Sequence, residues 1–247
     1  MKQRSRPVCL TIGGSDSCGG AGIQADLRVF QQFGIHGCSA TTALTAQNPD
    51  VITRIEPVSL AQLDAEIHTL FDFYDVKVVK TGMLVDAEHV AVVSALLDQL
   101  HTGELVVDPV MISSSGKSLL DNGGVDALRH SLLPQASLIT PNLDEAAALL
   151  GDAIDEPLQA AKQLAGMLNC SVLLKGGHGA GGELLDLLYE SNSEISEFSH
   201  PRQSWNAEQS HGTGCRLAAA IAAGICQGKG LQQSASEAVE ALQKGDI

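Results

Sequence analysis

Residues 8–33 read VCLTIGGSDSCGGAGIQADLRVFQQF and join three different patterns in one segment. The run Val8–Gly14 is mostly apolar and ends in glycines, which is typical of a buried strand. Five glycines then fall within residues 13–22. From Gly22 to Phe33 the apolar residues recur at helical spacing on one face. A strand, a glycine-rich turn and an amphipathic helix in this order predict the start of an α/β fold.

The same order of strand and helix repeats along the chain. Apolar and β-branched runs predict further strands at Val76–Lys80, Glu104–Asp108, Ser137–Thr140 and Ser171–Lys175. Helical patterns are found at Asp86–Leu100, from Asn142 onward, and at about Gly214–Gln227 and Leu231–Lys244. This alternation indicates a mostly parallel sheet that is covered by helices on both faces.

Two segments depart from the alternation. Residues His36–Ile55 contain β-branched runs without a helical pattern, and they predict a small β flap beside the sheet. Residues Leu184–Phe198 predict a hairpin with a polar turn at Ser191–Ser193. Since no linker, repeat or low-complexity tract is evident, residues 1–247 are predicted to form a single domain.

The composition excludes several classes of protein. The chain has 247 residues and a net charge of −14, which would repel a nucleic acid backbone. No apolar run approaches the roughly 20 residues of a membrane span, and Val8–Ile12 is too short for the core of a signal peptide. The six cysteines lack Cys-x-x-Cys spacing, which favours free thiols and a cytoplasmic location. The eight histidines show no metal-ligand spacing, so no zinc site is expected.

Twelve of the 25 glycines lie in three windows, at residues 13–22, 176–182 and 212–214. Beside a strand end or a helix start, glycine lets backbone N–H groups approach a ligand. Ordinary turns explain any one window equally well, but three windows favour a phosphorylated ligand. The dinucleotide fingerprint is not met cleanly and the P-loop motif is absent, so neither a Rossmann dehydrogenase nor a P-loop NTPase is predicted.

The third window runs directly into an alanine-rich helix. Unpaired N–H groups at a helix start favour negative charge, which suits a phosphoryl group in transfer. Cys215 falls in the first turn of this helix, where the pKa of a thiol is expected to be lowered. A thiol that ionises near neutral pH can act as a general base. The alternative is a small buried cysteine that only packs.

Seven motifs occur in order between about residue 8 and residue 240. They are Gly14–Asp26, Thr42–Asn48, Lys80–Leu84, Asp108–Met111, Thr140–Ala146, Lys175–His178 and His211–Cys215. Together they resemble the hydroxymethylpyrimidine/phosphomethylpyrimidine kinases of thiamine biosynthesis. The resemblance implies a ribokinase-like α/β fold, a three-layer αβα sandwich with a mostly parallel central sheet and a small β flap.

The resemblance also implies the reaction. The γ-phosphoryl group of ATP would pass to the hydroxymethyl group of a pyrimidine, and a second one to the resulting monophosphate. The backbone of Gly212, Thr213, Gly214 and Cys215 would form the anion hole, and Cys215 would be the base. Lys175 would lie near the ATP phosphates.

Mg²⁺ is the implied metal. Asn142 and Glu145 are spaced as a capping box, and capping alone would explain them. The resemblance implies that this element also helps to hold Mg²⁺, mostly through water. Asp108 follows a strand and so lies at the carboxyl edge of the sheet, where ligands bind in such folds. It is a second candidate for the metal and nucleotide region, although an Asp before Pro109 also suits a plain turn.

On the pyrimidine side the resemblance implies six residues, Gly14, Ala21, Asp26, Gln47, Met83 and Val110. Gln47 offers a donor and an acceptor to an aminopyrimidine edge. Met83 and Val110 would sandwich the ring, but core packing is the commoner role of a lone Met. Asp26 would be costly if it were buried without a partner.

The chain departs from the family pattern near the nucleotide. Arg216 stands where the family usually has Thr, and its guanidinium would lie near the phosphates or point to solvent. The loop 202–211 is longer than usual and contains Trp205, which leaves the choice of nucleotide open. A pyridoxal kinase of the same fold is the first alternative, and a non-catalytic pyrimidine-binding module is the second. A homodimer is expected, since the family's flap strands often pair across a two-fold axis.

Overall fold

The computed structural model describes residues 6–113, 116–178 and 183–247, which include a nine-stranded sheet and the helices that flank it. The strands are β1 (Val8–Asp16), β2 (His36–Gln47), β3 (Ile52–Pro57), β4 (Val76–Thr81), β5 (Glu104–Val107), β6 (Leu138–Ile139), β7 (Ser171–His178), β8 (Glu183–Tyr189) and β9 (Ile195–Pro201). The helices are α1 (Gly22–Gln32), α2 (Leu60–Phe73), α3 (Ala87–Leu100), α4 (Asn122–Ala127), α5 (Leu143–Leu150), α6 (Pro157–Leu168), α7 (Ala207–Ser210), α8 (Thr213–Cys226) and α9 (Leu231–Lys244). A π turn (Leu128–Leu132) and a 3-10 turn (Leu133–Gln135) lead from α4 towards β6.

The sheet has the strand order β3-β2-β1-β4-β5-β6-β7-β8-β9. The strands from β2 to β7 in this order pair in parallel. Antiparallel strands close both edges, β3 at one and the β8–β9 hairpin at the other. The predicted mostly parallel sheet is therefore confirmed, and so is the hairpin predicted at Leu184–Phe198.

Each face of the sheet has its own hydrophobic core. In β1, Leu10 and Ile12 pack on the face of α2, α3, α5 and α6, whereas Cys9 packs on the face of α1, α8 and α9. In β5, Val107 belongs to the first core and Val106 to the second. Both faces of such strands are buried, which is why their sequences are continuous apolar runs rather than alternating ones. The arrangement is a three-layer αβα sandwich, as expected.

Helix α8 is buried along its middle, from Leu217 to Gly224. Alanines fill most of this segment, and their small side chains let the helix lie close to the sheet. Gly224 faces α9, where an added Cβ would lie 2.8 Å from the Ser234 Oγ. The position of α8 is therefore set by close contacts on both of its sides.

The predicted flap differs in one respect. Strand β2 pairs with β1 in parallel from His36 to Thr45, so most of it belongs to the main sheet. Only its last residues, Ala43–Gln47, form the antiparallel pair with β3. Strand β1 reaches Asp16 rather than Gly14, because an irregularity between Gly13 and Ser15 lets the pairing continue past the glycines.

In the described part of the chain, no helix has both the length and the apolarity that crossing a membrane requires.

Candidate active site

A cavity of about 530 Å³ opens at the carboxyl edge of the parallel strands. Its wall includes the predicted site residues Gly14, Ala21, Gln47, Met83, Asp108, Val110, Asn142, Glu145, Lys175, Gly212, Thr213, Gly214 and Cys215. Of the predicted site residues, only Asp26 does not line it. In the second glycine window, Gly179, Gly181 and Gly182 lie outside the described residues.

The start of α8 forms one side of the cavity. Gly212 precedes the helix with a φ of 76°, and no side chain within the described ranges caps the first turn. A Cβ on Gly212 would overlap the Gly20 carbonyl oxygen and lie 2.8 Å from the Ala21 Cα. Glycine is therefore required here both by its φ and by close packing against the loop before α1. The unpaired N–H groups of the first turn can bind an anion.

Lys175 and Asp108 meet beside this helix start. The Lys175 Nζ lies 3.0 Å from the Asp108 Oδ1, which also accepts a hydrogen bond from Thr140 Oγ1 at 3.1 Å. A Cβ added at Gly214 would lie 3.4 Å from the same Nζ, so the ammonium packs directly against the first turn of α8. Burial acts against both charged forms, but their attraction prevails: the pKa of Lys175 is raised and that of Asp108 is lowered. The positively charged Lys175 side chain is thus held in the cavity beside the N-terminus of α8.

Asn142 and Glu145 form the capping box that their spacing predicts. The Asn142 Oδ1 accepts from the Glu145 N–H at 2.8 Å, and the Glu145 Oε2 accepts from the Asn142 N–H at 2.9 Å. Burial raises the pKa of Glu145 to about 7; Lys175 opposes this effect and Asp108 adds to it. The capping role is confirmed, and it leaves Glu145 Oε1 without any part in the box.

The expected lowering of the Cys215 pKa is wrong. Cys215 is the third residue of α8, as predicted, but burial raises the pKa of its thiol to about 11. The nearby Lys80 ammonium and the Gly22 N–H act to lower this pKa, while the carboxylates of Asp26 and Asp108 act to raise it. Loss of solvation outweighs the favourable field at the helix start.

Of the residues predicted for the pyrimidine side, Met83 and Val110 belong to a small apolar cluster that borders the cavity. Met83 is 9% exposed and packs with Ala43, Ile52, Leu119 and Val110. An added Cβ on Gly14 would lie 3.1 Å from the Met83 Sδ, so this glycine leaves room for the methionine. Met83 therefore packs in a small core and also borders the cavity.

Unlike the other residues predicted for the pyrimidine side, Asp26 does not line the cavity. It is 1% exposed beneath the cavity, where its Oδ2 binds Lys80 Nζ at 2.8 Å and Thr11 Oγ1 at 2.6 Å. Its Oδ1 is buried and has no hydrogen-bond partner among the described residues. The ion pair with Lys80, near the end of β4, thus offsets the cost of burying the Asp26 carboxylate. Lys80 itself is missed by the sequence reasoning, although a lysine inside a buried strand signals a need for such a partner.

Arg216 also departs from both expectations. Its guanidinium donates to the carbonyl oxygens of Ile247 at 2.9 Å and Gln209 at 2.8 Å. It lines a second cavity of about 520 Å³ on the other side of the loop before α1, rather than the first cavity. In the long loop, Trp205 packs against the core beneath α8 and α9. These residues therefore stabilise the region around α8 without entering the first cavity.

Comparisons with known proteins indicate which family the chain resembles in sequence and fold. The family model described as phosphomethylpyrimidine kinase matches residues 16–245. A hydroxymethylpyrimidine/phosphomethylpyrimidine kinase of Rhizobium meliloti is 41% identical over 235 residues, which cover 94% of this chain and 87% of that protein.

Two solved structures share the fold. The phosphomethylpyrimidine kinase of Clostridium difficile superposes with a TM-score of 0.85 at 31% identity, covering 98% of this chain and all of that one. A Bacillus subtilis pyridoxal kinase in complex with ADP gives a TM-score of 0.86 at 31% identity, covering 96% of this chain and 90% of that one. The ribokinase-like fold is thereby confirmed. The chain belongs to the phosphomethylpyrimidine kinase family.

Proposed function

We propose that the protein transfers the γ-phosphoryl group of ATP to 4-amino-5-hydroxymethyl-2-methylpyrimidine and then to its monophosphate, in thiamine diphosphate biosynthesis. The observation that carries the proposal is the uncapped first turn of α8 with Lys175 packed against it, inside a cavity whose opposite wall is apolar. The similarity to a hydroxymethylpyrimidine/phosphomethylpyrimidine kinase, which covers 94% of this chain and 87% of that protein, supports the same substrates.

The phosphoryl group is held by this chain's backbone and by one cation. The N–H groups of residues 212–215 would donate hydrogen bonds to the oxygens of the transferring group, and Lys175 would offset the charge on the leaving phosphates. The acceptor hydroxyl oxygen forms the new bond to phosphorus as the bond to ADP breaks. Its proton would pass to Cys215, which must be a thiolate to accept it. Because the transition state of phosphoryl transfer is loose, positioning contributes more than the base does.

Asp108, Glu145 and Asn142 are proposed to hold Mg²⁺, directly or through water. Their oxygen atoms are the ligands that this ion prefers, and the two carboxyl groups face one cavity beside Lys175. When bound, Mg²⁺ would neutralise charge on the ATP phosphates. The raised pKa of Glu145 fits such a role, since a cation would favour the ionised form of this buried group.

The pyrimidine ring is proposed to lie between Met83 and Val110, with its polar edge towards Gln47. Gly14 and Ala21 leave room for it at the end of β1. Asp26 acts from beneath the wall by fixing Lys80.

The preferred phosphoryl acceptor distinguishes the candidate functions. An ATP-consumption assay with several acceptors measures this preference. Hydroxymethylpyrimidine, its monophosphate and pyridoxal are compared at equal concentration with Mg²⁺. We expect the highest kcat/KM with the two pyrimidines. A preference for pyridoxal would favour the alternative suggested by the Bacillus subtilis neighbour. Pyrimidine binding by calorimetry without any ATP turnover would favour the non-catalytic module.

The domain number, the cellular location and the oligomeric state of the enzyme are proposed as well. We propose one kinase domain, a cytoplasmic location and a homodimer. The six free thiols are consistent with a reducing compartment. Exposed apolar side chains near the β2–β3 turn, Leu44 at 56% and Val51 at 44%, support pairing of two copies at this edge of the sheet.

A further inference from the structure

Three different metal-binding side chains converge beside the loop that leads into α1. Asp16 ends β1, Cys18 follows it by two residues, and His211 comes just before Gly212 and α8. One ligand atom from each lies within 4.8 Å of the other two. Asp16 and His211 are buried, whereas Cys18 is exposed and borders the second cavity. None of the three is assigned a role in the phosphoryl transfer proposed above, although His211 borders both cavities.

The hydrogen bonds at this cluster are crowded onto one oxygen. The Asp16 Oδ2 faces the Ala21 N–H at 2.8 Å, the His211 Nε2 at 2.9 Å and the Cys18 Sγ at 3.4 Å. A carboxylate oxygen offers about two lone-pair directions. Three donors therefore compete for two acceptor sites. A cation bound between the sulfur, the nitrogen and this oxygen would remove two of the competing donors.

We propose that Asp16, Cys18 and His211 form a site for a thiolate-binding divalent cation of the Zn²⁺ type. Tetrahedral zinc bonds of about 2.0–2.3 Å place ligand atoms roughly 3.3–3.6 Å apart, close to the separations of Oδ2 from Nε2 and Sγ. Binding releases the Cys18 thiol proton, and water from the second cavity completes the fourth position. The thiolate and the carboxylate balance the charge of the ion. A mixed sulfur, nitrogen and oxygen set selects against Mg²⁺, which prefers oxygen alone.

The bound ion would join two segments that border the first cavity. Asp16 and Cys18 begin the loop that carries Ala21 and Gly22, and His211 leads into the first turn of α8. The Gly212 backbone already packs against Gly20 and Ala21. An ion between the Asp16 Oδ2 and the His211 Nε2 would widen their 2.9 Å separation to roughly 3.3 Å. His211 must then shift, and with it the adjoining helix start that receives the phosphoryl group, so occupancy of the site inhibits turnover.

Cobalt spectroscopy of the metal-free protein tests the site. Co²⁺ titrated into the wild type should give a thiolate-to-cobalt charge-transfer band at one equivalent, and Zn²⁺ should displace it. The band should disappear in Cys18→Ser and remain in Cys38→Ser and Cys215→Ser, which remove other thiols. Absence of the band in the wild type, or its survival in Cys18→Ser, would overturn the site. A band that is lost in Cys215→Ser would assign the ion to the first cavity instead.

The rate at saturating Mg²⁺ and ATP tests the consequence. Zn²⁺ should lower the turnover of the wild type and leave that of Cys18→Ser unchanged. Equal inhibition of both proteins would mean that Zn²⁺ acts by displacing Mg²⁺, which contradicts the proposed effect. An uninhibited wild type that still shows the cobalt band would contradict it as well.

Discussion

At the scale of single residues, Cys215 shows two physical effects in opposition. A helix N-terminus and the Lys80 ammonium favour the thiolate, but the thiol has lost its water. Burial outweighs both, and the pKa is raised to about 11. A sequence reports the position of a residue in a helix, but it does not report how deeply the tertiary structure buries that residue. This is why the sign of the shift could not be predicted.

The raised pKa predicts a pH profile. If Cys215 accepts the proton, kcat/KM should rise about tenfold per pH unit across neutral pH, since the thiolate fraction of the free enzyme does so far below the pKa. Cys215→Ala should lose roughly 10²–10⁴ in kcat and lose this slope. Initial rates from pH 6 to 9 test this, with Cys226→Ser as the control. A Cys215→Ala variant with an unchanged profile would show that another group is the base.

Glu145 predicts a dependence of stability on pH. Its pKa is raised from 4.5 to about 7, so the folded state binds the proton more tightly than the unfolded state. This contribution is fully present below pH 4.5 and is lost as the pH rises towards 7, on the order of 3 kcal/mol at about 1.4 kcal/mol per pKa unit.

The matched variant is Glu145→Gln, which keeps an oxygen for the Asn142 N–H and does not ionise. Urea denaturation at several pH values should show the wild type losing stability relative to this variant as the pH rises. The variant should also need more Mg²⁺ for turnover. Parallel stability curves for the two proteins would refute the shift, and an unchanged Mg²⁺ requirement would leave Glu145 with its capping role alone.

At the scale of elements, the start of α8 depends on a glycine that no other residue can replace. Gly212 and Gly228, just beyond the two ends of α8, have φ values of 76° and 84°. They differ in their surroundings, because a Cβ at Gly212 meets Gly20 and Ala21, whereas one at Gly228 meets nothing within 4 Å. An alanine at Gly228 therefore tests the effect of the positive φ alone, whereas an alanine at Gly212 adds the effect of the steric clash.

The Gly212→Ala variant should keep only a small fraction of the wild-type kcat, because the first turn of α8 must move away from the loop before α1. Gly228→Ala should cost only about 1 kcal/mol of stability and keep its kcat. Thermal unfolding and steady-state kinetics on the two variants make the comparison. Equal kcat values would mean that the close packing at Gly212 does not position the anion site.

The strands and several of the helices were predictable because their signals are local, whereas α2 and α6 were not predicted. Helix α9 matches its predicted bounds at Leu231–Lys244, and the capping box at Asn142 was readable from the sequence spacing. The pairing of Lys80 with Asp26 was not, since it depends on how β4 lies next to β1 and α1. The same holds for β2, whose parallel pairing with β1 replaced most of the expected flap. Contacts between distant segments require the tertiary structure.

At the scale of the whole molecule, a net charge of −14 coexists with a proposed site for ATP. The two are compatible because the phosphates would meet local groups, namely the α8 N–H groups and Lys175. Lys80 adds a second buried ammonium beneath them. Net charge governs encounters with large polyanions, whereas a buried cavity responds to its nearest charges.

If the protein is a dimer through the β2–β3 edge of the sheet, a substitution there should halve its particle mass in solution. Leu44→Asp places a charge on the exposed apolar patch and should convert the dimer to a monomer, because the charge would be buried without a partner. Phe73→Asp is the control, since Phe73 is 80% exposed at the end of α2, where the adjacent Tyr74 stacks on His36 at the opposite end of β2 from Leu44. Light scattering gives the mass of each protein. A wild-type monomer, or a Leu44→Asp dimer, would refute the interface.

The alanines of α8 extend the enzyme's sensitivity to mutation well beyond its cavity. Their small side chains set the distance between the sheet and α8, whose first turn is the proposed anion site. A larger residue at Ala219 or Ala222 would tilt or lift the helix, and the displacement would reach residues 212–215 more than a turn away. A screen for altered acceptor choice would therefore find variants inside this core. Adjusting the thickness of that layer offers a way to re-aim the catalytic helix without touching any residue that meets substrate.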